Sequence, residues 1–130
     1  MNTAPAQTGD REAVTKTLQT YIDGGITGRS DDMKPAFHAN ATIHGYIGDD
    51  LFGGPIQVLY DWIDSNDAAT ELKCDITAID IQETIATARV ECHNWGGHRF
   101  TDMFTLLKTD GEWKIISKVF YLHAGTQDQD

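Results

Sequence analysis

The second half of the chain constrains the fold most. From Leu72 onward, four successive stretches, "LKCDITAIDIQ", "TIATARVECHNW", "HRFTDMFTLLK" and "EWKIISKVFYLH", carry the β-branched and aromatic residues and the period of two that mark strands. Two of the joints are hairpin signals: Gly96-Gly97, and Asp110-Gly111, which supplies the positive backbone torsions of a two-residue turn. Four long antiparallel strands leave an apolar face that other elements must cover.

The first half supplies that cover. Between Asp10 and Gly28, Val14, Leu18, Tyr21, Ile22 and Gly25 recur at helical spacing, and Gly28 is placed to end the helix. Ser30 followed by Asp31 and Asp32 predicts an N-cap and a short second helix that Pro35 limits. "ATIHGYIG" reads as a strand and "GDDLFGGP" as a loop. Pro55 opens a third helix with Ile56, Leu59, Tyr60 and Ile63 as its apolar stripe, ending near Asn66. The order α-α-β-α-β-β-β-β predicts an α+β domain with helices packed on one face of a curved sheet.

Composition narrows the partners. A chain of 130 residues, 40% hydrophobic, fits one domain, expected over 10–123, with a disordered tail over 1–9 and an acidic tail over 124–130. The formal net charge of -10 opposes binding to nucleic acid or an anionic membrane surface. "MNTAPAQTGD" has neither the basic nor the apolar region of a signal peptide, and no run is long enough to span a bilayer, so a cytoplasmic location is expected. Cys74 and Cys92 form no disulfide framework and read as packed thiols; no ligand-like spacing predicts a metal. No cofactor is expected.

One residue breaks the pattern. In "RFTDMFTLL", Phe100, Phe104 and Leu106 share a strand face, and Asp102 lies between the two phenylalanines. Burial there disfavours the charged carboxylate and raises its pKa, so Asp102 is expected to be a neutral hydrogen-bond donor. The plain alternative is a structural acceptor for Arg89 or for backbone groups.

"YIDGGITGRSDDM", "AFHANATIHGY" and above all "RFTDMFTLLKTDGEWKIISKVF" resemble the nuclear transport factor 2 superfamily, and within it the SnoaL-like, lumazine-binding branch, over about residues 10 to 123. That resemblance implies a cone-shaped, cystatin-like α+β fold with the three helices of the N-terminal half on the concave face of the sheet. The superfamily includes ketosteroid isomerases. Similarity to these implies that Tyr21 and Asp102 are a pair of donors converging on a ligand carbonyl, the acid kept neutral by an apolar site as is known for that enzyme. Their proton-shuttling aspartate is replaced by Gly45, and the candidates for a base in its stead are His38, His44 and His93. His44 adjoins Gly45 with opposite parity and needs a bulge to turn inward.

A regular two-residue turn at Asp110-Gly111 sets Asp102 against Val119 and Phe104 against Ser117. Val119, Tyr121 and Ile115 then join the Asp102 face, while Met103, Leu107, Ile116, Lys118, Phe120 and Leu122 form an outer face apolar enough to predict a homodimer. Lys118 reads there as a rim or interface residue. For the Gly96-Gly97 hairpin, an odd-length loop, which turns Val90 and Cys92 inward, is favoured by their apolar character.

The expected site is therefore Asp102, Tyr21 and His44 for chemistry, with His38, Phe100, Phe104, Tyr121, Val119 and Trp62 around a ligand. Two functions fit: a pocket that binds a hydrophobic carbonyl-containing or heterocyclic molecule, or an acid/base isomerase, dehydratase or cyclase with Asp102 and Tyr21 as donors and a histidine as base.

Overall fold

The computed structural model describes residues 4–123, with side chains from Gly9 onward; the expected tail over 124–130 and the first three residues lie outside that range. Helix α1 (Ala4–Thr27) begins inside the stretch expected as a tail, and Gly28, at φ 71°, ends it. Helix α2 (Ser30–Met33) and a 3-10 turn (Lys34–Ala36) lead into strand β1 (Phe37–Ile47). Strand β2 (Asp50–Pro55) pairs with β1, so the stretch read as a loop is a strand, and helix α3 (Gln57–Ser65) starts after Pro55 rather than at it. Strands β3 (Lys73–Gln82), β4 (Ile85–Trp95), β5 (His98–Thr109) and β6 (Glu112–Leu122) follow among the described residues.

All six strands form one sheet in the order β2-β1-β6-β5-β4-β3, antiparallel except where β1 lies parallel to β6. The fold is α+β, as the second half of the sequence requires. The helices cover one face, where Val14, Leu18 and Tyr21 of α1 and Leu59 and Ile63 of α3 meet Val90, Phe104, Leu106 and Ile115 of the sheet in one buried core. Asp10 pins the start of this packing, accepting from Lys108 Nζ (2.9 Å) and Trp113 Nε1 (3.1 Å) in the last hairpin. Ser30 is not an N-cap but the first residue of α2; its amide and hydroxyl both donate to Asp64 of α3, at 2.9 and 2.7 Å.

Two irregularities decide which side chains face the core. At the β5–β6 turn, Asp110 (φ 52°) and Gly111 (φ 80°) take the conformation the sequence predicts, and Thr109 pairs with Glu112. The regular register holds only as far as Leu106 with Ile115; the next pair is Thr105 with Ser117, leaving Ile116 as an extra residue on β6. A β-bulge of this kind exchanges the two faces of everything beyond it. Asp102 therefore lies opposite Phe120, not Val119, and Phe104 opposite Lys118, not Ser117. Lys118 and Phe120 turn inward, while Val119 and Tyr121 are 50% and 60% exposed. In the β4–β5 hairpin the turn has two residues, but a second shift, at Asn94 (φ 62°), leaves Val90 and Cys92 facing inward beside Asp102, the face expected for an odd-length loop.

Candidate functional site

Between the helices and the sheet lies a pocket that opens to solvent, with about 430 Å³ of empty space when the solvent at its mouth is counted. Ile43 and Ile47 of β1, Phe52 of β2, and Leu59 and Trp62 of α3 form one side; Trp95, Phe100 and Phe120 of the sheet form the other. Its polar lining comes from Tyr21 and Lys118.

Tyr21 is fully buried on the inner face of α1, its ring held edge-on by Phe37 and Phe104 and tilted against Trp95 at centroid distances of 5.4 to 5.9 Å. Its hydroxyl donates to Asp102 Oδ2 at 3.0 Å. Burial, and then the negative charge of Asp102, hold the phenol well above its ordinary pKa, so it stays protonated. Asp102 is also fully buried and receives the Cys92 thiol at 3.6 Å on the same oxygen. Lys118, 5% exposed, completes the cluster with Nζ 3.4 Å from Asp102 Oδ1, an oxygen with no hydrogen-bond partner. The ammonium lies over the Phe120 and Tyr21 rings, 5.0 and 5.4 Å from their centroids, positions that favour a cation.

This arrangement changes the role expected of Asp102. Tyr21, Cys92 and Lys118 all bring donors to it, which is the environment of an acceptor, and Asp102 sits behind the pocket wall rather than in it. Arg89 is not its partner, since the Arg89 guanidinium binds Glu91 at 2.7 Å. Of the cluster, Tyr21 and Lys118 line the pocket, and the Tyr21 hydroxyl is already committed to Asp102.

The other expected site residues divide clearly. Phe100 and Trp62 line the pocket, and Phe104 lies behind Tyr21 in the core. Val119 and Tyr121 do not reach it, because the Ile116 bulge turns them outward. His44 is exposed and its ring lies over Gly53 of β2, where an added Cβ would clash with the imidazole; no bulge turns it inward. His38 is half-buried, its Nδ1 accepting from the Asn40 amide at 2.9 Å. None of the histidines lines the pocket. The position of Gly45 is closed as well: a Cβ there would meet the Phe120 ring at 2.6 Å. Among the described residues no group of three or more side chains could hold a metal ion, and no helix is long and apolar enough to cross a membrane.

Lys118 is the residue that sequence reasoning missed. No signal in "EWKIISKVFYL" marked it, because apolar residues occupy both parities: Trp113, Ile115, Val119 and Tyr121 on one, Ile116, Phe120 and Leu122 on the other.

Comparison with known proteins fits this architecture. The chain is 31% identical over 111 residues to "Aldolase FrzH" of Cladobotryum sp, covering 85% of this chain and 89% of that protein. The crystal structure of an NTF2-like protein of unknown function from Methylobacillus flagellatus KT superposes with a TM-score of 0.87 at 49% identity, covering 89% of this chain and 94% of the other. A second NTF2-like protein of unknown function, from Shewanella baltica OS155, superposes with a TM-score of 0.87 at 41% identity, covering 91% and 97% of the two chains. The family described as "Putative lumazine-binding" matches residues 9–121, and the chain belongs to that NTF2-like family.

Proposed function

We propose that the pocket binds a small, largely apolar molecule through a carbonyl or equivalent acceptor oxygen, held by Lys118 with Asp102 behind it. One observation carries this reading. A nearly fully buried ammonium faces a pocket lined mostly by apolar side chains, and among the described residues its polar partner is one carboxylate oxygen at 3.4 Å. An ammonium has three donors and a buried donor is costly to leave unmatched, so an acceptor entering the pocket gains a charge-assisted hydrogen bond. Lumazine fits this less well, because a pteridinedione carries polar atoms around most of its edge and the apolar walls cannot satisfy them.

The relative named an aldolase favours a second reading, in which the same groups act on the bound carbonyl compound. The pocket supplies the Lys118 cation where an enolate oxygen would develop, while the Tyr21 hydroxyl stays on Asp102. With Gly45 closed and the histidines elsewhere, the base is Asp102 or Lys118 rather than an imidazole.

Trp62 and Trp95 line the pocket and make its occupancy readable by fluorescence. Titration with 2-decalone, decalin and lumazine tests the reading. The ketone is expected to bind about tenfold or more tightly than the hydrocarbon of the same shape, the usual worth of a hydrogen bond to a charged group. Equal affinities for ketone and hydrocarbon would remove Lys118 from recognition, and tighter binding of lumazine would overturn the preference for an apolar ligand.

The outer sheet face is the proposed contact between two copies of the chain. Ile85, Met103, Val119 and Tyr121 lie there, each at least half exposed, and form an apolar patch of the kind that marks association.

A further inference from the structure

We propose that Lys118 is a covalent site: its amine condenses with the carbonyl of an aldehyde or ketone in the pocket to form an imine, with Asp102 as the resident proton acceptor and donor. This rests on the carbonyl-binding reading above and goes beyond it by assigning bond formation to one nitrogen.

Lys118 is 5% exposed, lines the pocket, and has Asp102 Oδ1 at 3.4 Å and two aromatic faces as its described neighbours. A lysine becomes a nucleophile when it can shed its proton inside an apolar site. Asp102 Oδ1 is placed to take that proton, since it is fully buried, adjacent to Nζ and free of any hydrogen bond, while Oδ2 is held by Tyr21 and Cys92. Ordinary structural lysines differ: Lys108 and Lys114 each reach a polar oxygen at 2.9 and 2.6 Å, outside the pocket.

The step balances without any further reactant. Lys118 gives one proton to Asp102, and the freed lone pair attacks the carbonyl carbon, forming the C–N bond as the C=O pair moves to oxygen. A proton passes from nitrogen to that oxygen, giving a neutral carbinolamine. Asp102 returns its proton to the hydroxyl, the C–O bond breaks, and water leaves. The products are a protonated imine and the Asp102 carboxylate, again an ion pair. Tyr21, with its phenol on Oδ2, acts as a positioning residue for the carboxylate.

Reductive trapping tests this. The full chain is incubated with cyclohexanecarbaldehyde, with and without sodium cyanoborohydride, and analysed by native mass spectrometry and peptide mapping. The expected result is one reduced adduct on Lys118, formed about tenfold or more faster than on the exposed Lys16 or Lys34, whose amines lack an apolar site. Lys118→Arg, which keeps the charge but cannot form an imine, is expected to lose that adduct and keep labelling at the surface. A noncovalent complex in native spectra with no faster adduct at Lys118 would overturn the covalent site while leaving the binding pocket standing. Absence of any complex and of any Lys118 adduct would overturn both. Labelling of Lys118 at the surface rate would also overturn the proposal, whether or not Lys118→Arg folds.

Discussion

Asp102 and Lys118 depend on each other. Asp102→Asn would leave a buried ammonium without a counter-charge, a change that costs about 3–5 kcal/mol. Urea unfolding should show a loss of that size. Replacing both partners with apolar residues of similar volume, Asp102→Leu with Lys118→Met, should recover most of it, because a buried pair has little net worth over good packing. A double variant as unstable as the single one would contradict the pairing. Cys92 provides a second check: its thiol lies 2.9 Å from Cys74 Sγ, and that contact together with burial pushes its pKa far up. Iodoacetamide at mildly alkaline pH should therefore leave Cys92 unmodified in the folded protein and alkylate it only in denaturant.

At the scale of elements, the bulge in β6 is the feature on which the site depends. The four strands, their turns and the helical face of α1 followed directly from periodicity and turn chemistry, which turned Tyr21, Phe100 and Asp102 toward the interior, whereas the pairing of Tyr21 with Asp102 was implied by the family resemblance. The inward face of β6 was not legible, because Val119 and Tyr121 are as apolar as Phe120 and Leu122, and only cross-strand packing decides between the two sets. Strand β2 was hidden by Gly53 and Gly54, which read as loop but provide the space for the His44 ring and the bend toward α3. The packing of Phe120 over Gly45 predicts that Gly45→Ala destabilises by about 1–3 kcal/mol, read from the denaturation midpoint, since the ring must move. On the outer face, Glu91 joins β4 to β5. Burial alone would raise its pKa, but hydrogen bonds from Thr101, Arg89 and Arg99 prevail and hold it at about 2. A folded pKa below the ordinary 4.5 means stability that is present above pH 4.5 and lost as pH falls toward 2. Glu91→Gln should flatten the melting temperature across that window; an unchanged acid slope would remove Glu91 from the account.

For the whole molecule, one sheet serves two purposes. Its inner face closes the pocket and its outer face presents Met103 together with Val119 and Tyr121, the latter two turned there by the same bulge that turns Lys118 inward. Sedimentation should find a dimer at micromolar concentration, and Val119→Glu with Tyr121→Glu should give a folded monomer that keeps its ligand affinity; a wild-type monomer would contradict the proposed contact. Lys118, backed by Asp102, is the proposed polar end of that pocket. A crystal structure of the protein soaked with 2-decalone tests it most directly. The account predicts electron density between Trp62 and Phe120 with the ketone oxygen in hydrogen-bond reach of Lys118 Nζ, or continuous with it as an imine. A ketone bound elsewhere, or seated in the pocket with its oxygen turned away from Lys118, would contradict it.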